Sequence, residues 1–256
     1  LAVCLSEMGY KVLVIDMDGQ GNVSQSLRVY DPRSEEACIA DVLYQTTPNG
    51  QRKTLSEVMK PTDYKNVYCV PSNIRFADAD TRLKAEIAGG VDTRLCYAIE
   101  DLVEEMAKAG EERFDYIIID CGPRLDMTTT NAIVALEAGN NASHIIIPIK
   151  VDGFAIAGLS QTIDTINRTA KERRRLPQHW KILQTMIERK TSAYKVGCEL
   201  LKEAIPNAEY FNTKIEKSTV VPEASLAMEP LITYAPDSKP GMQYRLLAQE
   251  IEEMNA

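Results

Sequence analysis

Three acids at the ends of two apolar runs are the residues best placed to do chemistry. In Phe114-Asp115-Tyr116-Ile117-Ile118-Ile119-Asp120-Cys121-Gly122-Pro123, four bulky apolar residues stop at Asp120 and give way to Gly-Pro. In Lys11-Val12-Leu13-Val14-Ile15-Asp16-Met17-Asp18, a second apolar run also ends in acids, followed by Gly19-Gln20-Gly21-Asn22. An uninterrupted apolar run predicts a strand buried on both faces, at the centre of a parallel sheet. Open α/β sheets bind ligands at the carboxyl ends of their strands. A carboxylate there commonly holds magnesium on a nucleotide phosphate. The same residue type also caps the helix that follows a strand. For Asp120 alone both readings stand, and the second acidic strand end favours the first. For Asp18 the alternative is the cap of a helix beginning near Asn22. Gly122 and Pro123 end their strand and let backbone pass close to a bound group.

Composition excludes several chemistries. The chain has 256 residues, 45% of them hydrophobic, enough for one large α/β domain spanning 1–256. The net charge of -8 argues against nucleic-acid binding by the molecule as a whole, so any DNA contact needs a local basic patch. Six cysteines (Cys4, Cys38, Cys69, Cys96, Cys121, Cys198) form no C-x-x-C pair, which predicts reduced thiols rather than zinc or disulfides. Cys121 is expected to be a buried, inert thiol. Two histidines, His144 and His179, make a His-centred triad or zinc hydrolysis a poor fit. No apolar run approaches the roughly 20 residues that cross a bilayer, and no signal peptide is visible.

The elements that must hold these acids can be read in order. Leu1 to Gly9 reads as the end of a helix closed by glycine. After the strand 11–18, a short helix opens at Ser24 and Gln25. A helix is expected over Ser34 to Tyr44, with Glu35 and Glu36 favoured in its first turn by the helix dipole. Thr46 to Lys53 reads as a polar loop, Leu55 to Met59 as a short helix and Asn66 to Val70 as a strand closed by Pro71-Ser72-Asn73. Leu95, Ile99, Leu102, Val103 and Met106 recur at helical spacing within 92–109. A helix at 126–137 follows the strand bearing Asp120. Then come a strand at 143–149, a helix at 155–175 with Ile156, Leu159, Ile163 and Ile166 on one face, a strand at 180–186, a helix at 192–204, a short strand near Tyr210, an irregular loop to Pro230 and a helix at 243–254. The run Lys171 to Arg175 reads as a helix C-terminus. Strands alternating with helices predict a doubly wound, mostly parallel sheet flanked by helices, in a single domain.

Several stretches together resemble the ParA/Soj family of partition ATPases, within the MinD/ParA deviant-Walker group of P-loop NTPases. Asp16-Met17-Asp18-Gly19-Gln20-Gly21-Asn22 is similar to that family's D-x-D-P-Q-G-N segment, with Gly19 in place of Pro. Pro71-Ser72-Asn73-Ile74 resembles its P-S-N-I/L element. Tyr116 to Pro123 resembles its Walker B strand, where Cys121-Gly122 departs from the usual T-P-P. Thr130-Asn131-Ala132 continues the match. Ile147-Pro148-Ile149 with Phe154-Ala155 and Gly158-Leu159, Thr185-Met186 with Lys190-Thr191, and Ile215 with Glu223-Ala224 follow in the family's order. The family's K-G-G-x-G-K-T loop is not among residues 1–256. It is expected upstream of Leu1, together with the strand before it, and residues 1–256 alone are expected to be inactive.

The resemblance implies an ATP hydrolase dependent on magnesium. Asp120 would hold Mg2+ through a water, and Asp18 would orient the attacking water or the magnesium shell. Asp16 would be structural. Gly122 and Pro123 would border the γ-phosphate, and Met186, Ile215 and Glu216 would line the adenine pocket, although a core Met and ordinary loop residues fit the latter equally. It also implies a homodimer formed on ATP binding, non-specific DNA binding through Lys190, Lys195, Lys214 and Lys217, and a ParB-like partner that stimulates hydrolysis. The cargo would be a chromosome or a plasmid, and the setting a bacterial cytoplasm at the nucleoid. The competing readings are a non-catalytic scaffold of the same fold, a MinD-like membrane-cycling ATPase and a nitrogenase-reductase-like electron carrier. The acidic end Glu250-Ile251-Glu252-Glu253 opposes the membrane reading, which needs a basic amphipathic helix, and the cysteine spacing opposes the last.

Overall fold

The computed structural model describes residues 1–44, 50–86, 89–173 and 180–255. Its contacts divide the chain into two compact units, Ala2–Asn140 and Asn141–Ala256.

The first unit runs α1 (Ala2–Glu7), β1 (Val12–Met17), α2 (Asn22–Ser26), α3 (Ile39–Leu43), α4 (Leu55–Val58), β2 (Lys60–Pro61), β3 (Val67–Val70), α5 (Ala79–Ala85), α6 (Arg94–Ala109), β4 (Tyr116–Cys121) and α7 (Met127–Val134). Its sheet has the order β2-β3-β1-β4. β1 pairs in parallel with β3 on one side and β4 on the other, while the short β2 is antiparallel to β3. All six residues of β1 are buried, as a central strand requires. Leu13, Ile15 and Met17 pack with Leu43, Tyr44, Leu55, Leu83, Leu95, Leu102 and Met106 in one core. Leu95, Ile99, Leu102 and Met106 are the buried face of α6, at the spacing read from the sequence.

Three expectations for this unit are corrected. Tyr116 to Ile119 is only half-buried, because β4 has a partner strand on one side only among the described residues. Cys121, at its end, is exposed rather than buried. No helix spans 34–44 either: residues 34–38 are irregular and α3 begins at Ile39. The Asp31 carboxylate accepts the N–H groups of Arg33, Glu35 and Glu36 at 2.7–2.9 Å. That side chain takes amides that would have opened a helix, and Ser34 sits at φ 59°. The helix starts one step later, where the Asp41 carboxylate accepts Cys38 N–H at 2.8 Å.

The second unit runs β5 (Ile145–Lys150), α8 (Gly153–Glu172), β6 (Trp180–Thr185), α9 (Ser192–Ala204), β7 (Glu209–Tyr210), α10 (Val220–Leu226), α11 (Leu231–Tyr234) and α12 (Lys239–Asn255). Its sheet, β5-β6-β7, is parallel throughout. Among the described residues the strands pair as two sheets, one in each unit. Ile156, Leu159, Ile163 and Ile166 are the buried stripe of α8. Asp152 caps α8 and Thr191 caps α9, their side-chain oxygens accepting Ala155 N–H at 3.0 Å and Tyr194 N–H at 3.2 Å. The loop expected before Pro230 contains α10. Pro222 stands in its first turn, where backbone N–H groups have no helical partner to lose. For the same reason α12 begins at Lys239, ahead of Pro240. α8 ends at Glu172. Arg174 and Arg175 of the expected basic helix end, and residues 46–49 of the expected polar loop, lie outside the described residues.

Gly197 brings α9 against the segment after β5: a Cβ there would sit 2.8 Å from Val151 Cγ1 and 3.1 Å from its carbonyl oxygen. Gly197→Ala is therefore expected to lower stability by about 1–2 kcal/mol despite alanine's better helix propensity. Urea unfolding measures it, and an unchanged midpoint would contradict the close packing.

Candidate functional site

The carboxyl ends of β1 and β4 bring the three acids together. Asp16 and Asp120 are register partners on adjacent strands. Asp16 is fully buried and hydrogen-bonded through both carboxylate oxygens. Its Oδ2 accepts the Ser24 hydroxyl at 2.6 Å and Ser24 N–H at 2.9 Å, and its Oδ1 accepts Asp18 N–H at 3.1 Å. The Ser24 hydroxyl in turn accepts Ser72 N–H at 2.9 Å. One buried carboxylate thus ties the end of β1, the start of α2 and the turn after β3 into a single polar knot. Burial raises the Asp16 carboxyl above its ordinary pKa, and the hydrogen bonds from Ser24 oppose that rise.

Asp18 stands at the mouth of the next turn. Its Oδ1 accepts Gln20 N–H at 3.0 Å, and its backbone carbonyl accepts Gly21 N–H at 2.9 Å. The glycines of this turn are required by packing. A Cβ at Gly19 would lie 2.8 Å from Ala77 Cα, and one at Gly21 would lie 2.7 Å from the Tyr30 ring. Gly21 also has φ +63°, which glycine alone adopts freely. Any residue bearing a Cβ at position 19, proline included, would meet the Ala77 backbone.

Asp120 has no such satisfaction. No hydrogen bond to its carboxylate is present among the described residues. Its pKa is pushed up to about 6, first by burial and then by the charges of Asp16 and Asp18, with no cation among the causes. A Cβ added at Gly122 would lie 3.5 Å from Asp18 Oδ1, so the loop after β4 passes directly beside Asp18. Pro123 follows it and is exposed.

The helix-cap readings of both acids fail on this geometry. α7 is capped by Asp126, whose carboxylate accepts Thr128 N–H at 2.9 Å and Thr129 N–H at 3.3 Å. The N-cap of α2 is Gly21, with no side-chain cap bond. Asp120 and Asp18 are left without a capping task.

In the second unit, Met186, Glu216 and the lysines gather where β6 ends. Ile187 and Glu216 form a parallel bridge, and Ile215 N–H donates to Gln184 O at 3.0 Å. Met186 is exposed and sits at φ 52°. Ile215 is buried in the core of this unit rather than open to a ligand. The Glu216 carboxylate is already held by Lys239 at 2.6 Å and Arg189 at 2.9 Å, which lowers its pKa, the Lys239 contact being the larger cause. Lys190 and Lys195 are exposed. Lys214 donates to Tyr194 Oη at 3.2 Å and lies 5.9 Å from the centre of its ring. Lys217 pairs with Glu188 at 2.8 Å.

The structure also shows polar groups that the sequence reading did not assign. Ser24 and Ser72 stand in recognised stretches, but their link crosses 48 residues of sequence. Asp41 and Arg75 form a two-armed ion pair at 2.7 and 3.1 Å across 34 residues. Asn73 caps the short turn Ile74–Phe76 by accepting Arg75 N–H at 3.0 Å.

Among known proteins, a family model described as an AAA domain matches residues 1–178. The sporulation initiation inhibitor protein Soj of Bacillus subtilis is 30% identical over 98% of this chain and 90% of its own length. The chain belongs to the ParA/Soj family. A second family member, the chromosome-partitioning ATPase Soj of Treponema pallidum, is 26% identical over 98% of this chain and 88% of its own. Cobyrinic acid a,c-diamide synthase from Mycobacterium smegmatis, solved with ADP and magnesium, shares the fold at a TM-score of 0.71 and 23% identity, covering 97% of this chain and 84% of its own. This ParA/Soj chain is accordingly an α/β protein of parallel strands flanked by helices. Among the described residues, no helix is long and apolar enough to cross a membrane.

A raised carboxyl pKa destabilises the folded state once the group ionises. Between about pH 4 and pH 6 folded Asp120 keeps a proton that the unfolded chain has lost, so its contribution to stability falls as pH rises through that window. Asp120→Asn is expected to stabilise the chain at about pH 7 by on the order of 2–3 kcal/mol, a gain that shrinks toward zero near pH 4. Urea midpoints of the two proteins across this range measure it, and a pH-independent difference would refute the uncompensated carboxylate.

Proposed function

We propose that this ParA/Soj chain is a partition ATPase that couples magnesium-dependent ATP hydrolysis to the positioning of DNA cargo. The observation that carries the reading is the uncompensated Asp120 beside Asp18, at the carboxyl end of two parallel strands. A buried anion with two anionic neighbours and no cation is a poor structural feature and a good cation site. The donor set suits magnesium. No group of three or more metal-ligating side chains occurs among the described residues, and Mg2+ keeps its waters and leans on one or two carboxylates plus phosphate oxygens.

When bound, Mg2+ supplies charge neutralisation for the phosphates. The remaining work falls to the chain. Asp120, held by its strand, would hold the ion through a water. Asp18 has Oδ1 anchored by Gln20 N–H, which leaves its other oxygen to orient the attacking water. Positioning of this kind is most of what phosphoryl transfer asks of a protein. Gly122 and Pro123 let the loop after β4 pass close to the terminal phosphate. Asp16 holds the frame and touches no substrate. At the second unit's site, Met186 offers exposed apolar surface to an adenine ring, with Ile215 buried in the adjoining segment.

ATP binding drives dimerisation, the dimer binds DNA without sequence preference, and a ParB-like partner speeds hydrolysis and release. Lys190, Lys195 and Lys217 are exposed phosphate contacts, with the half-buried Lys214 among them. The names of relatives concerned with chromosome partition support the reading.

Phosphate release from ATP, with and without DNA, tests the mechanism. Asp18→Ala is expected to lower kcat by about 10²–10⁴-fold. Asp120→Asn is expected to raise the magnesium requirement by about 10–100-fold. These assays use the full-length protein with its phosphate-binding loop; normal turnover by Asp18→Ala would remove Asp18 from the reaction, and background turnover by the unaltered full-length protein would reject the ATPase.

A further inference from the structure

The basic residues near the end of β6 are not equally available. The pairing of Ile187 with Glu216, and of Lys217 N–H with Ile187 O at 3.1 Å, lays segment 214–217 beside segment 187–190. This collects Arg189, Lys190, Lys214 and Lys217 on adjoining strands of backbone, and Glu216 draws in Lys239 from the start of α12. Two acids sit among them. Glu188 holds Lys217 at 2.8 Å, and Glu216 holds Arg189 and Lys239 at 2.9 and 2.6 Å. The side chains of Lys217 and Glu188 are 63% and 52% exposed, so this pair is open to exchange with an outside anion. Glu216 is more enclosed, its side chain only 20% exposed, and its backbone N–H is pinned to Gln243 Oε1 at 2.9 Å.

We propose that Glu188 and Glu216 are an intramolecular latch: their carboxylates occupy Lys217, Arg189 and Lys239 in place of DNA phosphates and hold non-specific DNA binding below what this basic face would otherwise give. The proposal rests on the DNA-binding reading above and assigns its regulation. Carboxylate and phosphate compete for the same ammonium and guanidinium donors. A lysine that moves from Glu188 to a phosphate releases a counterion from DNA, but the freed carboxylate attracts a cation from solution and offsets that release. The latch therefore lowers both affinity and its salt dependence. Exposed pairs are weak, which suits a contact that must open readily, and Glu188 is the more easily displaced arm.

The test is the fluorescence anisotropy of a labelled duplex of arbitrary sequence, titrated with the full-length protein, its phosphate-binding loop included, with ATP and magnesium over a salt series. Glu188→Gln is expected to tighten binding about 2- to 5-fold at low salt and to steepen the dependence of log K on log salt by about 0.9, one added phosphate contact. Glu203→Gln, on the exposed part of α9, removes an equal charge outside the latch and is expected to leave the slope as it was. In a Lys217→Ala background the gain from Glu188→Gln is expected to vanish, because no lysine remains to be freed. If the unaltered protein binds DNA and Glu188→Gln changes neither affinity nor slope, the latch is wrong. It is equally wrong if the gain persists without Lys217 or if Glu203→Gln reproduces it, since general charge would then explain it. Failure of the unaltered protein to bind DNA overturns the DNA reading and the latch with it.

Discussion

The buried carboxylate of Asp16 is the constraint on which the first unit's site depends. A charge with no access to water must be hydrogen-bonded on every side or it would neutralise or unfold its surroundings. Asp16 meets that demand by recruiting Ser24 and the Asp18 amide, and Ser24 passes the demand on to Ser72. The knot therefore sets where the turn 18–21 leaves β1 and where α2 begins. Asp18 is aimed by that turn. Once Asp16 is placed, β-pairing sets Asp120 opposite it.

The two neighbouring acids are treated in opposite ways by the fold. Asp16 receives three hydrogen bonds within 3.1 Å. Asp120, one strand away at the same register, receives none among the described residues, and burial together with the charges of Asp16 and Asp18 pushes it toward protonation. Proteins seldom keep a carboxylate in that condition without a ligand to offset it. The contrast separates a satisfied acid from an unsatisfied one more clearly than residue type or position does. The glycines serve the same end by exclusion: at 19 and 21 a side chain would strike Ala77 or Tyr30, and the turn would open.

Much of this was legible in the residues. Apolar runs ending in acid located β1 and β4, helical spacing located α6 and α8, and α9 falls on the residues expected. The misreadings share a cause, in that local contacts overrode a plausible pattern. Asp31 captured the amides of a would-be helix, while the expected loop before Pro230 contains α10 and α12 begins at Lys239, ahead of the expected 243, because Pro222 and Pro240 stand harmlessly in first turns. Ile215, which looked available to a ligand, is in the core because the strand extension beside β6 turns it inward.

The sequence by itself determined the alternation of strand and helix, the acidic strand ends and the family, because each is written in the order of nearby residues. Tertiary structure alone decided which acid is satisfied and which is exposed to its neighbours' charge. It also decided which basic side chains are held by Glu188 and Glu216. Those outcomes depend on burial and on partners 8 to 48 residues away in the chain, and neither burial nor a distant partner can be read from spacing.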